Sequence, residues 1–343
     1  MKIKYIFSLL IGVVAVACSN SDWDFPDYEV QGCYFPYQTP ARTLILGKYD
    51  QGINENDNKH CFDITALLTG IYENTEERSV YFAVDKSLLD NVENVKALPE
   101  EYYTIETSNP AIISVGDTKA RIRVQLNDKF FEDELSFGAV NTTNYVIPMV
   151  ITQVENIDSL FTGISYSDYA KPDRLNPLHW DVRAKDYTLF GIKYMNRFHG
   201  NYLRRGKDMI TGNTPMLARE YNAEYTEYDE VVFVETTGFN TVKLQNIIGR
   251  GDNSSPGNVT MELVFNNDNT CSVRSFEGDV YDIKGTGKFT EDGDAWGGKS
   301  KDVIYLDYIY TDAANSETHA VKDTLVIRDR MAVFEEFTVV LKE

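Results

Sequence analysis

The chain is short of positive charge, of cysteine and histidine, and of apolar stretches with helical period. Only 33 Lys and Arg stand against 53 Asp and Glu, a formal charge of −20. Nucleic acid demands clustered cations, so it is excluded as a partner. Four histidines, His60, His179, His199 and His319, and four cysteines show no metal-ligand spacing, so neither a metal nor a cofactor is expected. Gly200 to Lys207 has one residue too many for a phosphate loop, and Asp208 stands where the Mg²⁺-binding hydroxyl belongs. Gly285-Thr286-Gly287 lacks the third glycine of a dinucleotide turn, and no serine occupies a nucleophile elbow. Paired carboxylates for glycoside hydrolysis cannot be judged from spacing, but Glu100-Glu101 and Glu335-Glu336 read as solvated surface. Asp292-Gly293-Asp294 and Gly251-Asp252-Asn253 lack the terminal Glu of a calcium loop and read as polar turns. An enzyme is not expected.

What is present begins with Lys2, Lys4 and an apolar run from Ile6 to Ala17, too short for a permanent membrane span. Residues 1–17 are therefore expected to be a signal peptide. Ala15-Val16-Ala17-Cys18 has the form of a bacterial lipobox, which makes Cys18 the expected lipidation site and membrane anchor. Residues 18–31 form an acidic tether similar to the export signal that sends Bacteroidetes lipoproteins to the outer face of the outer membrane. Without Lys2 and Lys4 the mature chain holds 31 basic and 53 acidic residues, a charge of −22. Of the remaining cysteines, Cys33 and Cys61 could pair or lie buried as thiols, and Cys271 reads as core.

Aromatics make up 13% of the sequence, including 22 Tyr, which favours β structure over disorder. Ser79 to Asp85 reads as a strand, and Arg121 to Leu126 alternates so that Ile122, Val124 and Leu126 share a face. Tyr145 to Ile151 is another strand, with Pro148 expected at a sheet edge or bulge. Only Lys86 to Val95 could be a short helix. Residues 32–157 are thus expected to form an immunoglobulin-like β-sandwich, and residues 158–178 a linker. In residues 179–343, Val259, Met261, Leu263 and Phe265 face one way before the Asn266–Asn269 turn and the returning strand at Cys271. Further strands are read at Tyr281–Phe289, Val303–Tyr310, Thr324–Arg328 and Phe337–Leu341. The series closes most economically as a lipocalin-like antiparallel β-barrel, with a second sandwich as the alternative. The fold class is all-β.

Two family resemblances accompany these patterns. Phe82 to Asp85, Leu98-Pro99, Tyr102-Tyr103, the Gly116 turn and Tyr145 to Pro148 resemble domain of unknown function 1735. Tyr187 to Phe190, His199-Gly200, Tyr202 to Gly206, Gly285 to Phe289, Trp296 to Lys299 and Leu306 to Tyr308 resemble domain of unknown function 5627. The resemblance implies a context, a lipoprotein of a glycan-utilisation system whose first domain is a spacer or glycan-associated module, rather than a reaction. With the catalytic signatures lacking, the expected function is a non-catalytic surface lipoprotein whose partner is a polysaccharide or glycoprotein glycan and whose possible neighbours are other outer-membrane uptake proteins. The alternative is an adhesin or structural subunit that binds another outer-membrane protein; a barrel holding a small lipophilic ligand is a third reading.

Sugar rings are recognised by an exposed flat aromatic fringed with polar groups. Trp296, in a glycine-rich stretch, is the first candidate platform, followed by Trp180 and the cluster Tyr221, Tyr225 and Tyr228.

Overall fold

Apolar residues at every second position decide most of the architecture. In the computed structural model, which describes residues 27–139, 141–212, 216–248, 258–278 and 280–342, the strand Lys119–Leu126 buries Ala120, Ile122, Val124 and Leu126 and turns its other face outward. The leader, Cys18, the first part of the tether and the polar turn at 251–253 lie outside the described residues.

The first lobe is a two-sheet sandwich. One sheet runs in the order Ser159–Leu160, Gly32–Tyr34, Cys61–Thr69, Lys119–Leu126, Tyr103–Ile105. The other runs Glu335–Glu336, Pro40–Ile45, Tyr187–Met195, Tyr145–Glu155, Arg78–Val84, Ala111–Ile113, with Lys96–Ala97 added beside Tyr145–Glu155. Phe62, Ile64, Ile122 and Val124 from the first sheet meet Phe82, Ile147, Met149 and Ile192 from the second. Cys33, Cys61 and Cys271 are buried free thiols. Burial pushes those of Cys33 and Cys271 up to about 12, which leaves them unreactive.

Five expectations need correction. Pro148 is at no edge: its strand is central, flanked by Tyr187–Met195 and Arg78–Val84. Its missing N–H is tolerated because the neighbouring strand ends at Val84, and only the Pro148 carbonyl is used there, accepting from Asp85 N at 2.8 Å. Residues 158–178 are no free linker, since Ser159–Leu160 pairs with Gly32–Cys33 and Ile164–Ser165 with Trp180–Val182. The second lobe does not start at residue 179, because Tyr187–Met195 lies between two strands of the first lobe. Phe337–Leu341 forms no barrel strand; it returns to the first lobe, where Phe337 packs with Ala41, Val146 and Leu189. The Lys86–Val95 helix shrinks to a 3₁₀ turn over Lys86–Leu89.

The second lobe is a closed eight-stranded antiparallel barrel. Its strands are, in order, Gly200–Gly212, Glu230–Gly238, Thr241–Ile248, Asn258–Phe265, Thr270–Ser275, Lys284–Trp296, Lys299–Asp312 and Glu317–Asp329. Each pairs with the next, and the eighth pairs with the first from Asn201↔Asp329 to Gly212↔Glu317, which removes both edges. Leu217–Tyr221 adds an outer strand against Gly206–Ile210. The barrel interior is filled by its own side chains, among them Phe198, Met261, Leu263, Phe289, Leu306 and Leu325.

Buried polar contacts lock the lobes together. The Arg330 guanidinium donates to the carbonyls of Leu46 at 3.0 Å, Lys48 at 2.8 Å and Asn196 at 2.6 Å. Within the first lobe, Lys193 Nζ lies 2.9 Å from Glu335 Oε2 and also donates to the carbonyls of Ala139 and Thr142. Beside this pair His199 is buried, and its Nδ1 accepts from Thr236 N at 3.1 Å.

Two of these buried groups carry a prediction each. Breaking the buried pair by Lys193→Met strands Glu335 and should cost about 3–5 kcal/mol in urea unfolding, with Lys193→Met/Glu335→Gln losing less; a single-variant loss no larger than that of a surface pair would contradict this. Burial lowers His199 from the ordinary 6.5 to about 3, so the unfolded chain binds the extra proton between those values. The corresponding stability is fully present above pH 6.5 and falls as pH drops towards 3, by up to about 1.4 kcal/mol per unit. His199→Gln should therefore flatten the pH dependence in that window, measured as the difference from the parent protein.

Candidate functional site

A cleft of about 320 Å³ opens where the lobes meet. Four of its residues, Lys48, Tyr49, Asp50 and Gln51, come from the loop after the Pro40–Ile45 strand of the first lobe. The barrel supplies Trp296 and Lys299 from the sixth-to-seventh hairpin, then Lys301 and Asp302 from the seventh strand. Arg328 and Asp329 end the eighth strand, and Arg330 forms the floor that joins the lobes.

Trp296 is half-buried and ends its strand, opposite Lys299 across a turn of two glycines with positive φ, Gly297 and Gly298. No Cβ would fit that turn without strain, and the tight reversal keeps the indole at the rim. The ring packs on Leu203, Val303 and Val326, which face out of the barrel. Its N–H donates to the Ile327 carbonyl at 2.9 Å, and Lys301 Nζ lies 5.1 Å from the ring centroid. The orientation of the indole is therefore set before any ligand arrives.

Around it the charges are paired across the lobes. Lys301 Nζ is 3.0 Å from Asp50, and Lys48 Nζ is 2.6 Å from Asp292. The hydrogen bond from Lys301 holds the Asp50 carboxyl below the usual carboxylate range, and that to Asp292 raises the Lys48 ammonium. Asp302 accepts from Asp292 N, and Asp329 from Asn201 and Met331 N. The lining carries six basic side chains, Lys48, Arg197, Lys299, Lys301, Arg328 and Arg330, against three acidic ones, Asp50, Asp302 and Asp329. That balance is the reverse of the whole chain's.

The other expected platforms are elsewhere. Trp180 is buried with Val150, Ala184 and Tyr187, and its indole N–H donates to the Asp173 carbonyl at 2.7 Å. Tyr221 is held by Asp323 and Arg204. Its hydroxyl reaches Asp323 across Gly206, where a Cβ would come within 2.9 Å of that hydroxyl. This accounts for a glycine that imitated a phosphate loop. Tyr225 and Tyr228 are exposed and meet edge to face at 6.2 Å, apart from Tyr221's polar contacts. Of the aromatic candidates the structure thus brings together Tyr225 and Tyr228 alone, and neither lines the cleft that holds Trp296. Lys48 and Asp50 had no sequence signal linking them to Trp296, since their contacts span about 250 residues.

A sandwich bonded to a filled eight-stranded barrel defines a class of two-lobe, all-β proteins. Within it, the chain belongs to the same family as a Bacteroides ovatus protein of unknown function whose crystal structure it matches at 33% identity and a TM-score of 0.83, over 92% of this chain and 100% of that one. Residues 197–331 match the family described as domain of unknown function 5627, and residues 28–158 match a family described as an N-terminal domain. An auxiliary nutrient binding protein from Bacteroides thetaiotaomicron overlaps at 12% identity and a TM-score of 0.36, over 86% of this chain and 95% of that one, a level that carries no argument. No curated protein matches.

The two tryptophans should differ in cost. Trp180→Ala should lose about 3–5 kcal/mol in urea unfolding and Trp296→Ala only about 1–2 kcal/mol, because one indole is core and the other half-packed. Equal losses would place Trp296 in the core rather than at a rim.

Proposed function

We propose that the protein is a non-catalytic, lipid-anchored lipoprotein of the outer membrane, displayed on the cell exterior through Cys18, which binds polysaccharide or glycoprotein glycan in the interlobe cleft. The observation that carries this reading is Trp296: a pre-oriented, half-exposed indole at the rim of a cleft edged by charged side chains. The excess of cations favours glycans that bear carboxylate or sulfate groups. The resemblance of the first lobe to domain of unknown function 1735 supports a place beside other glycan-uptake proteins.

Absence of catalysis is supported by the state of the cleft's carboxylates. Each already accepts a hydrogen bond or ion pair, and Asp50 is shifted down, whereas a glycosidase acid needs its pKa raised. A second reading, an adhesin or subunit docking on another outer-membrane protein, draws on a largely apolar groove of about 280 Å³ where Tyr37 and Phe334 stand exposed.

Affinity electrophoresis of the soluble fragment Ser19 to Glu343 in gels containing neutral and acidic polysaccharides tests the proposal. Retardation is expected in at least one acidic polysaccharide, reduced at least tenfold in apparent affinity by Trp296→Ala. Retardation equal in parent and variant would move the site away from the cleft, and no retardation in any gel would overturn glycan binding.

A further inference from the structure

Remote from the cleft, inward positions on the first, seventh and eighth barrel strands carry a buried polar group: Asp208, Asp312, Glu317 and His319. Strand register assembles it. Asp312 and Glu317 are the last pair of the seventh-to-eighth hairpin, Tyr310 and His319 the next inward pair, and Asp208 comes from the strand that closes the barrel. Along the seventh strand this end lies roughly 40 Å from the Trp296 turn, at about 3.3 Å per residue.

His319 organises the group. It is fully buried, stacked on Tyr310 at 4.4 Å, and its Nδ1 lies 2.7 Å from Asp208 Oδ2. With Nδ1 taken up by that carboxylate, Nε2 is the ring nitrogen turned towards the hairpin end, and in the Nδ1–H tautomer it offers a lone pair there. Among the described residues Nε2 has no hydrogen-bond partner, and neither has Asp208 Oδ1. Nε2 stands 3.8 Å from Glu317 Oε2, too far for a hydrogen bond. Two ligands each about 2.0–2.2 Å from one cation span such a gap. One ligand atom from each of Asp312, Glu317 and His319 lies within 4.8 Å of the other two. Asp312 is itself fixed by Asn315, whose N and Nδ2 donate to its two oxygens at 3.1 and 2.8 Å. No lysine or arginine among the described residues pairs with Asp208 or Asp312. A carboxylate behind the imidazole, an orphaned nitrogen in front of it and two buried carboxylates beyond repeat the layered construction of histidine metal sites.

From this arrangement we infer that Asp312, Glu317 and His319 bind one divalent transition-metal cation, with Asp208 as the positioning residue for the imidazole. An imidazole with two carboxylates suits Zn²⁺ or Mn²⁺, whereas Ca²⁺ takes a larger shell of oxygens. The ion would tie the hairpin end to the barrel interior and supply the missing partner of His319.

The test uses the fragment Ser19 to Glu343, which contains every described element, stripped with a chelator and titrated calorimetrically with Zn²⁺, Mn²⁺ and Ca²⁺, with thermal melts alongside. One Zn²⁺ or Mn²⁺ per chain at micromolar affinity or tighter, with a raised Tm, is expected. Asp208→Asn should weaken binding by about 10–100-fold, His319→Gln should abolish it, and Trp296→Ala should leave it unchanged. If His319→Gln does not fold, Asp208→Asn decides, read from Co²⁺ absorption bands that should shift relative to the parent protein. Absence of stoichiometric binding at millimolar free ion, binding of Ca²⁺ alone, or affinity equal in the parent and Asp208→Asn proteins would each overturn the inference.

Discussion

A guanidinium that has no carboxylate partner among the described residues holds the two lobes in one geometry. Arg330 caps three backbone carbonyls, two from the first lobe's loop at Leu46 and Lys48 and one from Asn196, where the chain leaves that lobe for the barrel. Burial pushes its pKa below the ordinary arginine value, and its Nε has no partner among the described residues. This is a costly way to join two surfaces, and its effect is positional. It places Lys48 and Asp50 opposite Asp292 and Lys301, so the walls of the cleft come from both lobes.

Much of the fold was legible because alternation is a local property. Ile122, Val124 and Leu126, and Val259, Met261, Leu263 and Phe265, go to the core as their spacing dictates. Which sheet a strand joins is not local. Tyr187–Met195 has a strand's composition in either lobe, and only its pairing with residues 41–45 and 145–150 assigns it to the sandwich. Pro148 misled for a related reason, since a missing donor matters only where a neighbouring strand needs it.

The site was legible to a lesser degree. The glycine-rich stretch around Trp296 read as a loop, but Trp296 ends the strand Lys284–Trp296 and only Gly297 and Gly298 form the turn. Trp180 and Tyr221 offered the same ring chemistry, but their N–H and O–H partners, Asp173 and Asp323, decide their burial, and the second is 102 residues away. The buried histidine cluster matched no known motif although Asp312, Glu317 and His319 lie within one hairpin: the register Asp312↔Glu317 and Tyr310↔His319 gathers them, and Asp208, which holds the imidazole, comes from 111 residues away. Metal spacings in sequence describe loops and helices; a closed barrel builds its neighbourhoods from register instead.

The chain enters the barrel after Met195 and comes back to the first lobe at Glu335, where it pairs with Ala41. Topologically the barrel is an insertion within the sandwich. A force pulling on the residues before Gly32 would therefore be borne first by the short Gly32–Tyr34 strand, held in shear between Cys61–Thr69 and Ser159–Leu160. The barrel lies off that tension path, so its shape is mechanically insulated from whatever holds the N-terminal end.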